Sequence, residues 1–251
     1  MILGKVTDTE DIWGTLIEEK STDGICQQDI RKAFESFKGL IEQTPPMYSA
    51  VKLNGRKLYE YAREGQEVKV KSRKVYIKEL VVENIDMETK TVVFTVECSK
   101  GTYIRTICHD VGKILCCGGV MAGLERTASG VFSIDNAIEL ETLKDMNSEE
   151  IEKFLLPVDF PLTHFGKVVV DKETGKKFVD GYHLPLDKCD IISEPEFKNK
   201  DFVMEIRPEY RRAYNIYKKS KDVEVFLGVA FYNTKYKKLV ADKVFARGDS
   251  K

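Results

Sequence analysis

Between residues 91 and 115 the apolar period changes from two to between three and four. Val92, Phe94, Val96 and Cys98 alternate with Val93, Thr95 and Glu97, the pattern of a strand with one covered face. Ile104, Ile107, Cys108, Val111 and Leu115 then recur at steps of three and four, the buried stripe of a helix. Gly101 ends the strand, and Thr102 stands where an N-cap is wanted. A strand, a tight turn and a helix follow in that order, with Arg105 in the first helical turn. A cation there opposes the positive end of the helix dipole at a cost of about 0.3–1 kcal/mol when exposed, so the position asks for a carboxylate or a phosphate. Guanidinium geometry suits a bidentate acid. The alternative is an arginine that reaches solvent.

The same reading extends along the chain. "DIRKAFESFKG" places Ile30, Phe34 and Phe37 at helical spacing and closes on Gly39. In "QTPPMYSAVKLNG", Pro45 and Pro46 forbid helix and predict an extended, exposed path into a turn at Asn54-Gly55. "RKLYEYAREG" reads as a helix stopped by Gly65, and strands are expected around 75–85 and 91–98. "TDTEDIWG" lacks the acid spacing of a calcium loop and reads as a capped turn, with Thr7, Asp8 and Thr9 bonding backbone amides. Pro157 and Pro161 mark a linker. Beyond it, "KVVVDKETGKKFVDG" predicts a strand and a short helix, and Val223, Val225, Leu227, Val229 and Phe231 alternate as a strand that turns at "NTKYKK" into a partner at 239–245.

At 251 residues and 42% hydrophobic, the chain can bury one large domain and one small one. No apolar run approaches the roughly 18 residues of a membrane span, no signal-peptide pattern opens the chain, and the expected location is cytoplasmic. The six cysteines form no C-x-x-C pair and the three histidines stand away from them, so reduced thiols and no metal are expected. Neither G-x-G-x-x-G nor a P-loop is present, which argues against a nucleotide cofactor. Net charge is −1, but it is unevenly spread. Residues 198–251 hold 14 Lys and Arg against 7 Asp and Glu, leaving −8 on the preceding 197, and residues 52–74 hold 8 basic against 3 acidic. Such stretches are either solvated faces or footprints on a nucleic-acid backbone.

Four segments resemble the TruB-type tRNA pseudouridine synthases: "LGKVTDTEDIWG", "GLIEQTPPMYSAVKLNGRKLYEYAREG", "CSKGTYIRTICHDVG" and "LERTASGVFSI", in the family's order and spacing. The resemblance is dense over residues 1–140 and looser beyond. It implies an α+β fold built on a mixed, largely antiparallel sheet over residues 1–160, and a small β-rich PUA-like RNA-binding domain over 165–251. It implies isomerisation of a uridine flipped out of the T-loop of tRNA, with no metal or organic cofactor, by a protein monomeric when complete. Arg105 would then pair with the nucleophilic aspartate, and Tyr103 and Leu124 would line the base pocket. Tyr48 is a further aromatic candidate for the pocket, and Lys52 and Lys100 are candidates for phosphate contact.

One departure stands out. The family's nucleophile lies in a G-H-T-G-x-L-D-P motif upstream of the segment that here begins at Leu3, and neither Asp8, Asp11 nor Asp110 has such a context. The chain is therefore expected to be truncated and inactive alone, with Met1 at an interior strand position. A non-catalytic tRNA-binding protein is the alternative.

Overall fold

The computed structural model describes residues 1–196, 211–220 and 223–245. Two compact units divide them, Met1–Glu125 and the described residues from Arg126 onward.

The first unit runs β1 (Ile2–Leu3), β2 (Lys5–Thr7), β3 (Leu16–Glu19), α1 (Gln27–Glu35), β4 (Gly39–Gln43), β5 (Lys52–Leu53), β6 (Arg56–Lys57), α2 (Leu58–Arg63), β7 (Arg73–Asp86), β8 (Thr91–Cys98), α3 (Ile104–Ile114) and β9 (Gly119–Val120). Its main sheet has the order β4-β7-β8-β1-β9, with every neighbouring pair antiparallel. In the β7–β8 turn, Asp86 accepts the amides of Glu88 and Thr89. Along β8 the expected alternation holds: Val92 is buried, Phe94, Val96 and Cys98 are half-buried, and Val93, Thr95 and Glu97 face solvent. Onto this covered face pack Ile30 and Phe34 of α1 and Ile107 and Val111 of α3, with Leu3, Ile77 and Leu80 completing the core. Phe34 and Phe94 stack with ring centroids 4.7 Å apart.

Turn chemistry follows the residues. Asn54 (φ 52°) and Gly55 (φ 86°) both take positive φ, the requirement of a type I′ hairpin, and join β5 to β6. Three details depart from the sequence reading. Helix α1 ends at Glu35 and Gly39 (φ 92°) opens β4. Tyr103 is the N-cap of α3, because the Thr102 hydroxyl turns back to the Ser99 carbonyl at 2.8 Å. Pro45 and Pro46 are buried, where an exposed path was expected. Proline has no N–H to leave unpaired, so burying this stretch strands fewer backbone donors than burying an ordinary loop.

The second unit holds β10 (Ala128–Ser129), β11 (Phe132–Ser133), α4 (Leu140–Asp145), α5 (Ser148–Glu152), β12 (Gly166–Val170), α6 (Lys172–Val179), β13 (Leu184–Pro185), β14 (Asp190–Ser193), β15 (Ala213–Ser220), β16 (Val223–Asn233) and β17 (Lys238–Val244). The sheet order is β13-β17-β16-β15-β12-β14, antiparallel except for the β12–β15 pair. Asp171 caps α6 by accepting the Thr174 amide at 2.7 Å. Phe178 packs with Val168, Ile216 and Leu227. The alternation expected along β16 gives way to an unbroken buried run from Leu227 to Ala230, next to a register shift against β17.

The far end of α3 rests directly on the strand that follows it. The Gly112 carbonyl accepts the amides of Cys117 and Gly118, and a Cβ on Gly112 would stand 2.2 Å from the Gly118 carbonyl carbon and the Gly119 nitrogen. Gly112→Ala therefore forces helix and turn apart and is expected to cost about 1–3 kcal/mol. Gly123→Ala, where a Cβ meets nothing within 4 Å, serves as the neutral control. Urea midpoints of the two variants check this, and equal midpoints would refute the close approach.

Candidate active site

Arg105 occupies the second position of α3, two residues after the N-cap Tyr103. Gln43, at the end of β4, fixes that helix start from both sides: its Oε1 accepts the Tyr103 amide at 2.7 Å and its Nε2 donates to the Tyr103 carbonyl at 3.0 Å. From this seat the guanidinium reaches two loops. Nη1 donates to Asp11 Oδ2 at 3.2 Å and to the Thr9 carbonyl at 3.1 Å, while Nη2 donates to the Tyr48 carbonyl at 2.8 Å. The ion pair is largely covered, its side chains 22% and 16% exposed. Among the described residues, three of the five guanidinium hydrogens are thereby used, which leaves two for a further acceptor.

The loop between β2 and β3 is organised around Asp11. Its Oδ1 accepts the Trp13 amide at 3.0 Å and the Thr9 hydroxyl at 2.7 Å, and its carbonyl accepts the Thr7 hydroxyl at 2.7 Å. Asp8 Oδ1 accepts the Thr15 amide at 2.7 Å. Glu10 sits at φ 64°, accepts the Met121 amide on its carbonyl, and takes the Thr106 hydroxyl on Oε2 at 2.8 Å. Burial pushes the Glu10 carboxyl above its usual 4.5, with Asp110 pushing the same way; the Thr106 bond, Arg105 and Lys113 oppose this.

The structure brings Arg105, Tyr103 and Tyr48 together. Tyr48 contributes its carbonyl, and its half-buried side chain reaches Asp8 Oδ2 only at 3.5 Å. Lys52, Lys100 and Leu124 are exposed and make no bond to the guanidinium among the described residues; Leu124 is 60% exposed. Sequence reasoning missed Asp11 and Glu10. The capped-turn reading of "TDTEDIWG" was right about Asp8, which takes an amide, but Thr7 and Thr9 donate instead of accepting. A clue was available: a first-turn cation calls for an anion, and this loop is rich in carboxylates. What local pattern does not encode is the approach of residues 94 apart. A basic and aromatic cluster was also missed, with Arg56 4.5 Å from the Tyr61 ring centre and Lys57 and Arg63 at 5.3 and 5.2 Å from that of Tyr59. Among the described residues no three His, Cys, Asp or Glu side chains converge as a metal site would need, and no helix is long and apolar enough to cross a membrane.

Residues 1–104 match the TruB family pseudouridylate synthase (N terminal domain), and residues 105–163 match the tRNA pseudouridylate synthase B C-terminal domain. The tRNA pseudouridine synthase B of Clostridium perfringens (strain ATCC 13124) is 37% identical over 228 residues, 90% of this chain and 70% of that protein. The chain belongs to the TruB family of pseudouridine synthases. Another TruB protein, from Alkaliphilus oremlandii, is 44% identical over 196 residues, 78% of this chain; the match spans 64% of that relative's length. In fold the chain is similar to a protein of the crystal structure of a Cbf5-Nop10-Gar1 complex (TM-score 0.61, 20% identity, 90% of this chain and 63% of that one). It is similar too to a chain of the H/ACA RNP bound to a substrate RNA containing 2'-deoxyuridine (TM-score 0.62, 18% identity, 92% and 64%). The expected α+β pseudouridine synthase fold is thus present.

Two outcomes test the site's electrostatics. Asp11→Ala leaves a covered guanidinium with backbone carbonyls alone and is expected to lower stability by about 1–3 kcal/mol in urea unfolding; an unchanged midpoint would count against the ion pair. Glu10→Gln keeps an acceptor for Thr106 and removes the titration. Because the folded pKa is raised, the stability Glu10 adds is fully present below about 4.5 and is lost as pH rises through the folded value. The wild type should therefore lose stability relative to the variant as pH rises from 4.5, and pH-independent differences would refute the burial of the charge.

Proposed function

We propose that residues 1–251 carry the uridine-receiving part of a tRNA pseudouridine synthase, acting on a uridine flipped out of the T-loop. The observation that carries this reading is the Arg105 guanidinium, held in the first turn of α3 by Asp11 and the Tyr48 carbonyl with two donors uncommitted. In the reaction the N1–C1′ bond breaks, the base turns, C5 bonds to C1′, the C5 proton leaves to solvent and N1 takes up a proton in its place, so the product is an isomer of the substrate. No redox partner is needed. Arg105 would hold the attacking carboxylate ionised and oriented, since a half-covered guanidinium favours the charged form of a nearby acid. That carboxylate belongs, by resemblance, to an L-D-P motif outside residues 1–251. Tyr103, Tyr48 and Leu124 would wall the base pocket, which base flipping requires because the extruded base loses its stacking partners. Lys52 and Lys100 would meet phosphates, residues 165–251 would serve as a PUA-like RNA-binding domain, and the complete protein would act as a cytoplasmic monomer. The charge distribution supports tRNA as partner through the basic stretch at 52–74 and the +7 of residues 198–251, of which 198–210, 221–222 and 246–251 lie outside the described residues.

The chain should bind an unmodified tRNA transcript with an affinity that falls steeply with salt, yet release no tritium from [5-³H]uridine-labelled tRNA. Joining the N-terminal segment of the Alkaliphilus relative ahead of Leu3 should restore release, and Arg105→Ala in that chimaera should abolish it while leaving binding. Turnover by residues 1–251 alone would overturn the assignment of the nucleophile, and failure to bind tRNA would overturn the reading as a whole.

A further inference from the structure

Trp13 is the chain's single tryptophan, and it is 88% exposed. An indole left in water forgoes a large apolar burial, and an exposed tryptophan commonly marks a contact surface. Its backbone is held on both sides. The Trp13 amide is bonded to Asp11 Oδ1, the Gly14 amide to the Asp11 carbonyl, and Thr15 to Asp8. The loop is closed tightly enough that a Cβ on Gly14 would stand 2.2 Å from Thr9 Oγ1 and 2.5 Å from Asp8 Oδ1. One carboxylate therefore ties the tryptophan to the candidate active site: Asp11 Oδ1 holds the Trp13 amide while Asp11 Oδ2 holds Arg105.

We propose that Trp13 is a stacking platform for an unpaired RNA base next to the uridine received at Arg105. This rests on the tRNA reading above and adds to it a residue that contacts a neighbouring nucleotide. Extruding a uridine leaves its neighbours without a stacking partner, and an exposed indole on a fixed backbone replaces one without ordering cost at the loop. Every base has a π-face, so such a contact tolerates different sequences. Charge complementarity favours RNA over a protein partner. The segment that supplies the Tyr48 carbonyl to the same guanidinium continues into Lys52, Lys57 and Arg63, cations suited to the phosphates of the strand whose base would stack, and into Arg56, which pairs with Glu64.

The sole tryptophan supplies its own readout. The full chain is titrated with an unmodified tRNA transcript and with a blunt RNA duplex, following indole emission, and Kd is measured by filter binding for wild type, Trp13→Ala and Trp13→Phe. The expected result is saturable quenching by tRNA and little by the duplex, binding weakened about 5- to 150-fold in Trp13→Ala, and most of the affinity kept in Trp13→Phe. Unchanged emission and unchanged affinity of Trp13→Ala, with the wild type still binding tRNA, would overturn the stacking role and leave the tRNA reading intact. No binding by the wild type would overturn both. Emission that changes with protein concentration without RNA, alongside a dimer in sedimentation, would assign Trp13, with Ile12, Leu16 and Ile17, to self-association instead.

Discussion

The guanidinium of Arg105 is the point at which three separate parts of the first unit meet. Helix α3 supplies it, the β2–β3 loop answers with Asp11 and the Thr9 carbonyl, and the stretch after β4 answers with the Tyr48 carbonyl. Neither loop has a core of its own. Each gains its place by satisfying a donor that the helix would otherwise leave in a half-covered position, where an unmet charged donor costs about 1–3 kcal/mol or more. The dipole penalty for a first-turn cation, about 0.3–1 kcal/mol, is smaller than this, so pairing decides the arrangement.

Helix α3 is held at both ends by unlike means. At its start Gln43 brackets Tyr103 with a donor and an acceptor, and at its end Gly112 lets the backbone of Gly118 and Gly119 approach without a side chain between them. Between these ends Ile107 and Val111 face the sheet. A residue in the first turn is then fixed in height and in rotation, which is what a positioned guanidinium requires. The buried Pro45 and Pro46 belong to the same device, since they carry the chain from Gln43 to Tyr48 with no N–H of their own to satisfy.

How much of this is legible in the sequence depends on range. The period change after Cys98 and the Asn54-Gly55 turn are local events, set by side-chain alternation and by which residues tolerate positive φ, and each is readable before any fold is known. The demand of Arg105 for an anion is local as well. Its partner is not: Asp11 and Asp8 both sit in an acid-rich turn with similar local chemistry, and only the fold selects between them. Glu10 is less legible still, because its importance lies in a positive φ and a hydroxyl on a helix 96 residues away. The burial of Leu227 to Ala230 likewise escapes a period-two reading, since the backbone shifts register there and breaks the alternation.

The surroundings of Arg105 also bear on what else can approach it. Asp11 contacts the guanidinium, and Glu10 and Asp110 stand close enough to each other for their charges to interact. Within a Debye length of about 8–10 Å such carboxylates act together, so any further anion, carboxylate or phosphate, meets their repulsion as well as the attraction of the guanidinium. A neutral uracil ring meets no such opposition. Exposed cations lie apart from this site on the hairpin and helix that follow Tyr48, where Lys52 and Arg63 face solvent and Arg56 pairs with Glu64. Division of labour between a site poor in net positive charge and a separate basic surface would reconcile the proposed RNA substrate with a chain whose net charge is only −1.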